Sequence, residues 1–363
     1  MSKNIFFFIN IYLNLILLFI NILYLLQLNN ESLFIKFKFK NIDKFLIKMI
    51  FNNKIFYISK IRRKTISLFF VDNHYYSVND TIKLLKKKYI IKISKNNPDY
   101  LIYNVFGCRH LKNGYNNSIK IAIFTENQIP DFNIADYAVS NSHIYYLDRN
   151  FNNPYYFFKK LNLINNKNLN NIRNKILKNP KRKKFCGAVI SNFHFTDYFR
   201  LNFIKKLNEY KKIDMGGIYK NNVGKINNKI KFLSSYKFSI AMENTEGDGY
   251  VSEKIIDSFL SGSIPIYYGS YMIDEYINPK SIILVRGNKD MKKKIEYIKD
   301  IDNNNDIYRN ILKEKILIDE TISKKIKKEY EFFLFHIFEQ DKRKAKRIMK
   351  WRRLNNKGIE KIL

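Results

Sequence analysis

The chain has 363 residues, 46% hydrophobic and 16% aromatic, enough for two ordinary domains plus an appendage and too apolar for wholesale disorder. Its formal net charge of +34 favours an anionic ligand without identifying one, because Lys is spread along the whole chain, as AT-rich codon usage would also produce. Two cysteines, Cys108 and Cys186, allow one bridge at most, and no Cys/His spacing resembles a zinc site.

Residues 5–28 read IFFFINIYLNLILLFINILYLLQL, without a charge. At ~1.5 Å rise per residue such a helix spans a hydrocarbon core of roughly 30 Å. It lacks a small-residue cleavage site and exceeds a simple signal-peptide h-region, so a transmembrane signal anchor is expected here. Asn10, Asn14 and Asn21 share one stripe of the helical projection, suited to a second membrane helix, although Asn is common everywhere in the chain. Lys3 precedes the segment, while Lys36, Lys38, Lys40, Lys44 and Lys48 follow it. The positive-inside rule would then put the rest of the chain in the cytoplasm, but it discriminates poorly in so lysine-rich a sequence.

Residues 29–63 are basic and irregular, as suits a stem. Short apolar runs then predict strands at 65–71, 89–93, 100–105, 119–124 and 137–140, with a helix at 77–88. Strands alternating with helical stretches argue for an α/β domain with a parallel sheet over 64–160. The Asn/Lys-dense segment 161–184 reads as an inter-domain linker, partly helical in pattern. A second series over 185–335 predicts strands at 185–191, 236–242, 264–268 and 281–285, and helices at 196–210, 252–261 and 290–298. Two Rossmann-like domains in tandem make a cleft, and ligands of such sheets bind at the carboxyl ends of the strands. Residues 336–363 form a basic tail; the run KRKAKRIMKWRR at 342–353 suits either a membrane surface or a helix docked on the core with a solvated basic end.

Chemistry concentrates in residues 236–269, YKFSIAMENTEGDGYVSEKIIDSFLSGSIPIYYG. This is an apolar strand, an acidic glycine-bearing loop and a helix opening at Ser252, a suitable N-cap, with Glu253 in the first turn. Gly247 and Gly249 permit close backbone approach, the helix N-terminus offers free N–H groups to a phosphate, and Lys254 adds a point charge. Alone, a strand–loop–helix with a lysine is a weak signal.

The order ENT, GYVSEK, helix, IPIYYGS resembles the donor-binding signature of the α-1,3/1,4-fucosyltransferases, and most closely the bacterial branch. Ser252 stands where that branch has Thr, and Tyr268 where it has Trp. The likeness extends through FLSSYKF at 232–238 and NPKS at 278–281, and returns as IFTENQIPDFNIADYA at 123–138, similar to the family's acceptor-side motif. The resemblance, over about residues 65–298, implies a GT-B fold of two Rossmann-like domains facing a cleft. It implies GDP-fucose as donor, inversion at the anomeric carbon, an N-acetylglucosamine-containing glycan as acceptor and an α-1,3 linkage. Carried over by motif, Glu126 would be the general base and Arg200, in FTDYFRLNFIKKL, would face the diphosphate. Asn244, Tyr250, Glu253 and Lys254 would contact the donor: Tyr250 by packing, Glu253 through sugar or ribose hydroxyls, Lys254 through phosphate. No cofactor or metal is required by this reading, although some family members are stimulated by divalent cations. It is compatible with a homodimer and, in a eukaryotic host, with a Golgi-type membrane. The family's carboxyl-terminal cysteine pair and heptad repeats are both missing. Two other readings remain open: a GT-B transferase using another GDP-sugar, and a basic membrane protein binding nucleic acid through its tail.

Overall fold

The computed structural model describes residues 63–72, 81–144, 146–152, 163, 165–178 and 184–348, all within one compact unit that begins at Arg63. The expected anchor and the tail beyond 348 lie outside the described residues; among those described, no helix is long and apolar enough to cross a membrane.

Two parallel sheets organise the unit. The first comprises β1 (Thr65–Val71), β2 (Ile90–Ile93), β3 (Tyr100–Tyr103), β4 (Ile119–Ile123), β5 (Tyr137–Ser140) and β6 (Asn150–Asn152), in the order β2-β1-β3-β4-β5-β6. The second comprises β7 (Lys184–Ile190), β8 (Ile213–Gly217), β9 (Tyr236–Met242), β10 (Ile264–Tyr268) and β11 (Ile283–Leu284), in the order β11-β10-β9-β7-β8. Central strands are near-continuous apolar runs because helices or loops cover both faces: β3, β4 and β10 are buried at every position. The edge strand β2 is mostly exposed and carries Lys92, which discourages pairing with another chain.

Among the described residues the α-helices after β6 are α1 (Asn166–Lys178), α2 (Tyr198–Tyr210), α3 (Lys229–Leu233), α4 (Glu253–Ser261), α5 (Asn288–Asn303), α6 (Asn305–Lys313), α7 (Ile322–Glu339) and α8 (Lys342–Ala345). One core beside the second sheet collects Phe203 and Leu207 of α2, Ile298 and Ile301 of α5, and Ile311 and Leu312 of α6. Another gathers Ile255, Ile256 and Phe259 of α4 with Leu169 of α1 and Ile326 of α7. Helix α1 lies in the stretch expected to be a linker; its buried Arg173 donates to the carbonyls of Ser281 (2.9 Å), Ile311 (3.2 Å) and Glu314 (3.3 Å).

Helix α7 runs through residue 335, where the second domain was expected to end. Its first turns lie among the second sheet's helices, where Ile326 is buried, and it finishes in the first sheet's core, where Tyr330, Phe333, Leu334, Ile337 and Phe338 are buried. The Phe338 ring lies 4.4 Å from that of Tyr100. The basic residues that follow are partly neutralised by the first sheet: Lys346 pairs with Asp136 (2.9 Å) and Arg347 with Asp148 (2.5 Å). Around residues 77–88 the structure shows helix at 81–85 and then turns, while 73–80 lie outside the described residues.

In each sheet the first strand sits between the second and third, so the order reverses between β1 and β3 and again between β7 and β9. Such a reversal leaves a crevice outside the carboxyl ends of the strands, where ligands of open α/β sheets bind.

Candidate active site

A cleft of about 640 Å³ opens at these carboxyl ends. Phe106, Glu126, Asn127 and Gln128 line it from the loops after β3 and β4. From the second sheet come residues 189–192 at the end of β7, Asn244 and Thr245 after β9, and Tyr250, Glu253 and Lys254 at the start of α4, with Phe195, Arg200 and Lys229. All six residues singled out from the sequence (Glu126, Arg200, Asn244, Tyr250, Glu253 and Lys254) thus face one cavity.

Arg200 reaches the cleft from the first turn of α2 and is 2% exposed. Its Nη1 donates to Asn244 Oδ1 (2.7 Å), Thr196 Oγ1 (3.3 Å) and the Asn192 carbonyl (3.4 Å), while its buried Nε has no partner. Burial lowers its pKa; the nearby Glu243 and Tyr250 act in the opposite direction. A buried arginine that lines a polar cavity can meet an anion there.

The loop between β9 and α4 is built around two carboxylates that sequence reasoning passed over. Glu243, wholly buried, accepts from the Ser252 backbone N–H (2.7 Å), the Ser252 hydroxyl (2.5 Å) and the Lys254 ammonium (2.9 Å). It therefore pins both the N-cap of α4 and the cation expected to meet phosphate. Lys254 also donates to Ser252 Oγ (3.0 Å), which leaves one of its three protons facing the cleft it lines. Asp197, at the N-cap of α2, accepts from the Glu246 backbone (2.9 Å) and the Tyr268 hydroxyl (2.9 Å). Burial pushes the Tyr268 phenol pKa up, and its bond to Asp197 adds to this, so it remains a donor. Gly249 adopts φ +86°, and a Cβ there would fall 2.4 Å from the Asn141 carbonyl oxygen, so glycine is needed for this loop to lie against the first sheet.

Glu126 follows β4 in a loop held by Asn141, whose Nδ2 donates to the Thr125 carbonyl (3.1 Å). Glu253 faces Lys229 at 3.8 Å, and Lys229 also pairs with Asp257 (3.2 Å). No motif pointed to Lys229, which comes from α3; only the packing of α3 on α4 brings it to the cleft. Phe195 lines the cleft while 82% exposed. Among the described residues no cluster of three His, Cys, Asp or Glu could hold a metal ion. Cys108 is exposed and Cys186 buried, and both are free thiols.

Comparisons with known proteins bear on the family. Residues 179–350 match the model of the glycosyltransferase family 10 (fucosyltransferase) C-terminal region, and residues 68–159 match that of the α-(1,3)-fucosyltransferase FucT N-terminal domain. The α-(1,3)-fucosyltransferase FucT of Helicobacter pylori is 29% identical over 64% of this chain and 55% of its own length. A putative fucosyltransferase of Acanthamoeba polyphaga mimivirus is 31% identical over 39% of this chain and 25% of its own. The chain thus spans about half of the first relative and a quarter of the second. A crystal structure of α1,3-fucosyltransferase with GDP-fucose superposes with a TM-score of 0.60 at 25% identity, covering 76% of this chain and 92% of that one. With both family models aligned across the two sheets, and the cleft lying where they meet, the chain belongs to glycosyltransferase family 10, the fucosyltransferases.

Proposed function

We propose that the chain is a GT-B transferase that moves fucose from GDP-fucose to a hydroxyl of an N-acetylglucosamine-containing glycan, inverting the anomeric carbon and forming an α-1,3 linkage. The observation that carries this reading is the convergence on one cleft of a buried arginine, Lys254 and the N-terminus of α4 from one sheet with Glu126 from the other. Arg200 and Lys254, beside the start of α4, form a cationic wall suited to a diphosphate, at a sheet crevice suited to a nucleotide. The relatives' names point the same way: the human one is a 4-galactosyl-N-acetylglucosaminide 3-alpha-L-fucosyltransferase, 28% identical over 36% of this chain.

In this reading Glu126 takes the proton of the acceptor hydroxyl as its oxygen bonds the fucose anomeric carbon. The bond from that carbon to the diphosphate oxygen breaks, and its electron pair leaves with GDP. Arg200 and Lys254 stabilise the charge that grows on the leaving oxygen, and Asn244 holds the Arg200 guanidinium in line. Tyr250 packs against the donor and Glu253 binds its hydroxyls. Divalent cations are not needed for these steps. Membrane residence through residues 5–28 belongs to the same proposal, and release of the full-length chain by carbonate extraction would count against it.

The detergent-purified full chain should consume GDP-fucose in preference to GDP-mannose, and Lys254→Ala should lower turnover by at least about 100-fold, the scale of a lost oxyanion contact. Equal use of GDP-mannose would replace fucose by another GDP-sugar. Wild-type turnover by Lys254→Ala would remove the phosphate role.

A further inference from the structure

The two sheets contribute opposite halves of the cleft, and a transferase of the kind proposed above needs those halves in register. Next to Glu126, Asn127 points its carboxamide across to the loop after β9. Its Nδ2 donates to Thr245 Oγ1 (2.8 Å) and to the Glu246 carbonyl (3.1 Å), which uses both amide protons. Gly247 makes room for this contact, because a Cβ there would lie 2.6 Å from both Asn127 Nδ2 and Oδ1. The receiving loop is itself fixed, with the Glu246 N–H on Asp197 (2.9 Å) and the Asp197 N–H on the Asn244 carbonyl (2.7 Å). That carbonyl belongs to the residue whose side chain holds Arg200.

We propose that Asn127 is a positioning residue for the transfer: its carboxamide latches the Glu126 loop to the Thr245–Glu246 loop and so sets the place of the base relative to the bound donor. The latch rests on the fucosyl-transfer reading for its catalytic consequence but not for its existence. It acts through Glu126, so its loss misplaces the proton acceptor while leaving the diphosphate wall of Arg200 and Lys254 intact. A displacement of about 1 Å in such a group can cost on the order of 100-fold in rate.

The experiment compares the full-length wild type, N127A, T245V and N127A/T245V in four measurements: kcat for transfer to an N-acetyllactosamine acceptor, GDP affinity by calorimetry, melting temperature, and amide hydrogen exchange across residues 125–128. Expected for N127A are a kcat lower by roughly 10- to 100-fold, GDP affinity within about twofold of wild type, and exchange at 125–128 faster by about tenfold, the equivalent of one net hydrogen bond. T245V removes one of the two acceptors and gives a smaller effect in the same direction, and the double variant is no slower than N127A. Unchanged exchange in N127A overturns the latch. GDP affinity and melting temperature that fall in step with kcat overturn it in favour of a structural role. If the wild type transfers no fucose, the function proposed above fails, and exchange at 125–128 still decides whether the latch exists.

Discussion

Glu243 offers the sharpest test of how the cleft is built. In Glu243→Gln the side chain keeps its shape and can still accept from the Ser252 backbone N–H, now at 2.7 Å. The oxygen that holds the Ser252 hydroxyl (2.5 Å) and the Lys254 ammonium (2.9 Å) becomes an amide donor or gives up the backbone contact. The hydroxyl can rotate to accept; the ammonium cannot. A hydrogen bond to a charged group contributes about 1.5–3 kcal/mol, and breaking a buried ion pair costs about 3–5 kcal/mol. Lys254 is 15% exposed and can turn its charge towards the cleft, which places the loss near the lower bound, about 3 kcal/mol. Urea unfolding read by far-ultraviolet circular dichroism measures it directly. The Lys254→Met variant and the double variant complete a cycle whose coupling should be at least about 1.5 kcal/mol. A Glu243→Gln protein within about 0.5 kcal/mol of wild type, with no coupling to Lys254, would refute the view that this buried carboxylate organises the start of α4.

Other expectations follow from the same geometry. Phe338→Ala empties a fully buried site between Tyr89 and Tyr100 and should destabilise the chain by about 3–5 kcal/mol, measured by the same unfolding assay. Burial of Asp302 favours its neutral form, but hydrogen bonds from Lys211 (2.9 Å) and Lys237 (3.0 Å), with their charges, outweigh this and hold its pKa below the ordinary carboxylate value. A carboxyl so depressed adds stability above its unfolded pKa, near 4, and that contribution drains away as pH falls through the folded value. Asp302→Asn should therefore cost on the order of 2 kcal/mol at pH 7 and nothing once both forms are protonated, as chemical unfolding across pH 7 to 2 would record. Gly249→Ala meets the Asn141 carbonyl at a positive φ and should lose about 1–3 kcal/mol together with most GDP affinity, read by calorimetry.

The fold and the cleft were legible in the sequence to different depths. Strands such as β4 and β10 announce themselves as short apolar runs because a parallel strand is covered on both faces. β8, IDMGG, gives no such run; its two glycines serve close approach, since a Cβ on Gly217 would fall 2.4 Å from the Ile190 carbonyl oxygen. β6, NFN, is too short and polar to stand out. Helices α6 and α7 lay in a stretch rich in Lys and Asn, and that α7 carries its aromatic end to the first sheet is a tertiary fact with no local signal. All six residues taken from motifs meet at the cleft, because each lies in a loop at the carboxyl end of a strand or in the first turn of the helix that follows. Glu243 sat inside the motif unread, since its role depends on Lys254 folding back over it, eleven residues along the chain. Asn127 and Lys229 depended on contacts across the cleft or between helices that no spacing in the sequence encodes.

The chemistry proposed for the cleft is fucose transfer from GDP-fucose with inversion. The most direct measurement follows the full chain, GDP-fucose and N-acetyllactosamine by proton NMR, alongside Glu126→Ala. The expected result is an α-linked fucosyl product with stoichiometric GDP, and release slowed by at least about 100-fold in the variant. A wild-type chain that binds GDP yet forms no fucosyl product, or a Glu126→Ala variant as fast as wild type, would contradict it.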